Sequence, residues 1–284
     1  MEFLAILVAW AAVQFWGSGG KIQQDDWLSR LYQFFSWVPT PVLRLSITVL
    51  LPVLGVVLAL GLFHGIAWGL LSFALSVAVL LYSLGRGDFQ ILLRLYLNSW
   101  QRGDLEGSYR HAQAFSCELG EMNADNALEL HNNVRRAVFY QGFERWFAVV
   151  FWFVLAGPAV ALAYRLLFVL LREPAVSQAE RDAIARTLYI LEWLPVRLLA
   201  LAFSLVGNFD KGFGALKAEV FESQTSADFL DIVGSQALPA SLPEGQLDGE
   251  QFVDAAAIQL ESAQHILSRS LLCWVFFIAI IQLV

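Results

Sequence analysis

Residues 45–85 contain no Lys, Arg, Asp or Glu, and His64 and Tyr82 are the titratable side chains in the run. A bilayer core about 30 Å thick takes about 20 apolar residues per helical crossing. The run therefore predicts two crossings, Leu45 to Leu62 and Gly65 to Leu84, with Gly61, His64 and Gly65 in the turn between them. A soluble core helix does not continue so long without a polar stripe. Trp146 to Tyr164, interrupted by Gly157-Pro158, is a third span, and Ile266 to Val284, with Arg269 near its entry, is a fourth. Two spans are conditional. Leu188 to Phe209 holds Glu192, Pro195 and Arg197, and Phe3 to Trp16 is short. Glu2 stands where a secretory signal carries basic residues, so Phe3 to Trp16 is expected to stay on the protein as a first helix. The pattern predicts an all-α, polytopic membrane helical bundle with four firm spans and up to six.

Two stretches beside the first hairpin are amphipathic. Trp27, Leu28, Leu31, Tyr32, Phe35 and Val38 recur at helical spacing among Asp25, Asp26, Arg30 and Gln33. Phe89, Leu92, Leu93, Tyr96 and Trp100 repeat the pattern against Arg94 and Arg102. Trp and Tyr favour the membrane–water boundary, so both are read as interfacial helices. The polar middle predicts a helical hairpin, Tyr109 to Leu119 and Ala127 to Phe139, broken at Gly120-Glu121-Met122-Asn123, with Asn123 or Asp125 as the second cap. A second polar segment, Lys211 to Leu247, is acidic and punctuated by Gly234, Pro239, Pro243 and Gly245. Asp248-x-x-Gln251 then forms a capping-box pattern opening the helix of the final span. The expected organisation is one polytopic domain, 1–284, with a cytosolic helical hairpin at 103–145 and an acidic cytosolic segment at 211–262 as insertions.

Composition narrows the function. The chain is 58% hydrophobic and 15% charged, far from a soluble average, and its net charge of −7 supplies no basic face for nucleic acid. Cys117 and Cys273 make no disulfide framework. Arg86, Arg94, Arg102, Arg110, Arg135, Arg136 and Arg145 fall in 85–145, against none around His64. Basic loops stay cytoplasmic, so 85–145 is expected inside and the His64 turn outside. Arg172, Arg181 and Arg186 then conflict with a single crossing at Trp146 to Leu171; a re-entrant turn at Gly157-Pro158 removes the conflict.

No nucleotide, metal or hydrolase motif survives inspection. Gly17-Ser-Gly-Gly-Lys21-Ile22 lacks the first glycine spacing and the Ser/Thr of a phosphate loop, and no preceding strand is expected. The histidines have no ligand spacing, so no metal is expected. The chemical signal is charge within apolar spans: Arg165 and Arg197, with Glu144 and Glu192 as their nearest carboxylates. Such groups pair in a bundle interior, snorkel to headgroups or line a wet cavity. The functional reading is an anion site opening to the cytosol, reinforced by Arg135, Arg136 and Arg145.

Ala148 to Arg165 resembles the Gly-containing apolar segment ending in Ala-Tyr-Lys or Ala-Tyr-Arg of the cobalamin-biosynthesis membrane proteins CobD and CbiB. Leu194-Pro-Val-Arg-Leu198 is similar to their Leu-Pro-Ala-Arg-Leu stretch. With Tyr82-Ser-Leu-Gly-Arg-Gly-Asp-Phe89 and the length, the chain resembles the AmpE family of inner-membrane proteins, the relatives encoded beside the AmpD amidase in beta-lactamase regulation. Departures from the synthases fall on the chemistry. Arg136 and Tyr140 stand where their glutamates do, Gln141 replaces an asparagine, and Glu144 alone keeps a carboxylate. A polar run after Arg165 becomes Phe168 to Arg172. Joining an amino alcohol to a carboxylate with ATP needs carboxylates that hold metal and phosphate.

The resemblance thus implies a multi-pass regulator or sensor of the bacterial inner membrane, accessory to beta-lactamase induction and cell-wall recycling, on a degenerate synthase-like scaffold. The alternative is a membrane amide-forming ligase with an altered substrate; a transporter ranks behind both. The expected partners are membrane lipid, an anionic small molecule and a protein of cell-wall recycling, with no cofactor. The site set is Arg135, Arg136, Tyr140, Glu144, Arg145, Tyr164, Arg165 and Arg197, with no catalytic residue assigned.

Overall fold

The computed structural model describes residues 2–16, 23–63, 69–85, 89–116, 124–221, 225–239 and 249–283, and these form helices without a strand. In chain order they are α1 (Glu2–Trp16), α2 (Asp26–Phe34), α3 (Pro41–Phe63), α4 (Leu70–Ser83), α5 (Phe89–Gln101), α6 (Leu105–Ser116) and α7 (Ala127–Gly142). After a π-helical turn, Phe143–Phe147, come α8 (Ala148–Ala156), α9 (Pro158–Leu171), α10 (Gln178–Val206), α11 (Phe209–Glu219), α12 (Ser226–Ala237) and α13 (Gly249–Leu283). The expected turn at His64, the break at 120–123 and the cap at Asp248 lie outside the described residues.

Two compact units divide the chain. The first comprises Met1–Gly87, Arg145–Glu192 and Gln282–Val284, and the second Asp88–Glu144 and Trp193–Ile281. Residues 103–144 and 211–262 belong to the second unit together with α5 and the C-terminal part of α10.

In the first unit α9 packs on α3, α4 and α8, while α1 packs on α4 and α8 and α2 on α3. α3 buries only Leu45, Thr48 and Val49, and exposes Leu50, Leu51, Leu54, Leu58 and Leu62. An apolar face turned outward along a 23-residue helix suits hydrocarbon, not water. Pro41–Phe63, Gln178–Val206 and Gln251–Ile280 are long and apolar enough to cross a membrane; Phe3–Val13, Leu70–Ser83 and Pro158–Leu171 are apolar but shorter. The chain is a helical membrane protein.

The stretch Trp146 to Tyr164, expected as a span interrupted at Gly157-Pro158 or as a re-entrant turn there, is a helical hairpin, because α8 and α9 pack side by side across a one-residue turn. Gly157 has φ 84° and ψ 176°, a conformation essentially confined to glycine, and Pro158 opens α9 where no donor is needed. α8 continues α7 without a break through the π-helical turn, whereas α9, at 1.5 Å per residue, is about 21 Å long, short of a 30 Å core. The hairpin leaves by the end it enters.

In the second unit α5 packs on α6, α6 on α7, α7 on α12 and α12 on α11. Gly234 lets α12 approach the Phe139 ring, where an added Cβ would lie 2.7 Å from Cζ. Phe139 in turn lies 5.3 Å from Phe203 of α10, centroid to centroid. The cap of α7 is Asn126 rather than Asn123 or Asp125: its Oδ1 accepts from Glu129 N at 2.9 Å, and Glu129 Oε2 accepts from Asp125 N. α6 starts at Leu105, ahead of the expected Tyr109, because Asp104 Oδ1 accepts from Gly107 N in its first turn.

Candidate functional site

The predicted site residues divide between the units. Arg145, Tyr164 and Arg165 belong to the first; Arg135, Arg136, Tyr140, Glu144 and Arg197 belong to the second.

In the first unit the apolar periodicity of α9 turns Tyr164 and Arg165 inward, leaving them 0% and 1% exposed. Arg165 Nε donates to the carbonyl of Ser83 at 2.5 Å, where α4 ends, and its guanidinium lies 5.5 Å from the Phe168 ring centre. Arg172 covers the same ring at 4.7 Å. Tyr164 Oη donates to Glu192 Oε1 at 2.9 Å, and Glu192 is itself buried. Arg145 reaches the same segment from the π-helical turn: its carbonyl accepts from Gly85 N at 3.1 Å, and its side-chain stem fills the space a Gly85 Cβ would need. Ser83-Leu84-Gly85 is thus flanked by two buried guanidinium-bearing side chains. Guanidinium is planar and always charged, the geometry that binds carboxylate or phosphate in two-pronged fashion.

The arginines of the second unit have acidic partners. Arg135 grips Asp231 through Nε and Nη2 at 2.8 and 2.9 Å, and its Nη1 donates to Gln259 Oε1 at 3.1 Å. Arg136 Nε lies 2.7 Å from Asp228 Oδ1. These pairs join α7 to α12, so Arg135 and Arg136, expected to hold an anion, are engaged by carboxylates three residues apart on one helix. Arg197 is half-buried, donates to the carbonyls of Val220 and Trp193 at 2.9 Å each, and lies over the Trp193 and Phe229 rings. Glu192, an expected partner for Arg197, accepts from Tyr164. Tyr140 is half-buried beside Phe143, and Glu144 is buried in the π-helical turn.

Two polar clusters were not foreseen. Glu180, 0% exposed, accepts from Arg44 Nη2 at 2.8 Å, Tyr32 Oη at 2.8 Å and Ser177 N at 3.0 Å, tying α10 to α3 and α2. Burial, reinforced by Glu180, pushes the Tyr32 phenol up to about 12. In the second unit His131 is enclosed by Trp100 and Phe252, and its Nε2 meets Gln259 Oε1 at 2.7 Å. Burial pushes this imidazole down to about 4. His131 Nδ1 has no hydrogen-bond partner, so the Nε2–H tautomer, donating to the amide oxygen, is the one that fits. Arg44 and Tyr32 lie 136 and 148 residues from Glu180, and Gln259 lies 128 residues from His131, so no local pattern links them. Among the described residues no three His, Cys, Asp or Glu side chains are grouped to hold a metal.

No solved structure matches this chain. Protein AmpE of Shigella flexneri is 23% identical over 170 residues, which are 57% of this chain and 60% of that protein. The aligned part thus spans about three fifths of that relative. Residues 1–238 match the family described as regulatory signalling modulator protein AmpE, and the chain, a helical membrane protein, belongs to that family.

Proposed function

We propose that this chain is a multi-pass regulator of the bacterial inner membrane, accessory to beta-lactamase induction and cell-wall recycling. In this reading it answers to an anionic small molecule, on a scaffold shared with the cobinamide-phosphate synthases. The match of residues 1–238 to a regulatory signalling family carries the regulatory part. Arg145 and Arg165, buried on either side of Ser83–Gly85, support the ligand part, because a planar guanidinium matches the two oxygens of a carboxylate or phosphate. The proposed site is Arg145, Tyr164 and Arg165, which belong to one unit. The α8–α9 hairpin supports a cytosolic position for Arg172, Arg181 and Arg186, the side on which the arginines of 85–145 also belong.

The test is deletion of the gene in a strain with inducible beta-lactamase. A modest change in induction is expected, restored by the wild-type chain and not by Arg165→Ala at equal membrane abundance. Unchanged induction on deletion overturns the regulatory reading, and full restoration by Arg165→Ala overturns the site.

A further inference from the structure

α10 is long and apolar enough to cross a membrane, yet the chain before and after it is held to one side. α7 packs on α12, and the Arg135–Asp231 and Arg136–Asp228 pairs bind them at 2.8 and 2.7 Å. Arg136 and Asp228 keep 31% and 40% of their side chains exposed, and helices joined through such a partly exposed ion pair lie on one side of a bilayer, since such charges are not carried facing hydrocarbon. Between α7 and α12 the chain passes the π-helical turn, the α8–α9 hairpin, α10 and the 11-residue α11. The number of crossings in that interval must be even. The hairpin returns to the end it enters and so supplies an even number, and α11 is too short to supply one, so α10 supplies none.

The surface of α10 fits a different placement. Ile184, Leu188, Val196 and Leu199 are buried on one side of the helix. Tyr189, Ile190, Trp193 and Leu194 are exposed on the other, Ile190 by 72%. Arg186 is exposed on that same side, and Arg197 lies with its Cζ 4.2 Å from the Trp193 ring centre. An apolar row bordered by aromatic and basic side chains is the composition of a helix lying in the headgroup–acyl boundary. We propose that α10 lies along the membrane–water boundary, with Tyr189, Ile190, Trp193 and Leu194 against lipid and Arg186 and Arg197 toward headgroup phosphates.

Two measurements test this in the full-length chain with Cys117 and Cys273 replaced by Ser. Single cysteines at Arg186 and Lys211 are challenged with an impermeant maleimide in intact cells and in inverted vesicles. The same sidedness at both positions is expected; opposite sidedness means that α10 crosses and overturns the proposal. Nitroxides at Ile190, Leu194 and Leu198 in lipid nanodiscs then report depth. A crossing helix would spread them over about 12 Å at 1.5 Å per residue, whereas a boundary helix keeps them at one depth, more accessible to oxygen than to an aqueous nickel complex. A graded depth, or nickel accessibility at all three, overturns the proposal, the second by showing that the face lies in water. Neither readout depends on induction or on ligand binding, so failure here leaves the proposed regulatory function standing.

Discussion

The side chain of Arg145 occupies the place where Gly85 would carry a Cβ, and the Arg145 carbonyl accepts from the Gly85 amide at 3.1 Å. A methyl group there would overlap Cβ and Cγ of Arg145, the stiff root of the side chain. Gly85→Ala should therefore shift Arg145 and destabilise the first unit by about 1–3 kcal/mol, the usual range for overpacking a buried contact. Thermal unfolding in detergent reads the effect, and a wild-type midpoint would contradict the contact.

Gly157 offers the contrast, because nothing lies within 4 Å of an added Cβ. Its requirement is conformational, set by φ 84° and ψ 176°. Gly157→Ala should cost about 1–3 kcal/mol by strain alone. If the α8–α9 turn is as described, Ala and Ser at this position should be equally disruptive when folded yield is measured, since neither is limited by space.

Glu180 gathers Arg44, Tyr32 and Ser177 around one carboxylate. Glu180→Gln should lower stability by about 3 kcal/mol, because the charge of Arg44 is left without its counterion in a largely desolvated place. Arg44→Gln combined with Glu180→Gln should recover part of that loss. A double-mutant cycle with no coupling would show that the pair is only a surface contact.

His131 makes the second unit acid-sensitive. Its folded value, about 4, lies below the ordinary 6.5, so between those values the unfolded chain binds the proton and the folded chain does not. Stability from keeping the ring neutral is fully present above pH 6.5 and is lost as pH falls toward 4, by about 3 kcal/mol at most. His131→Gln should flatten this part of the profile in thermal unfolding of the whole chain between pH 7 and 4. An unchanged slope would place the acid sensitivity elsewhere.

Helix content, the outward apolar face of α3, the amphipathic character of α2 and α5, and membership of the regulatory family were legible in the sequence by itself. Each rests on local periodicity or on residues close in the chain, such as Tyr82 to Phe89. Trp146 to Tyr164 reads as one apolar run, but the backbone at Gly157 turns it into a hairpin, and a run of hydrophobicity does not encode direction. Arginine positions were equally visible, while their roles were not. Arg165 donates to a carbonyl 82 residues away, Arg135 is held by Asp231, and Arg44 meets a glutamate 136 residues on. Whether a charge in an apolar chain awaits a ligand or is already neutralised depends on which distant carboxylate the fold brings to it, and that pairing exists only in the tertiary structure.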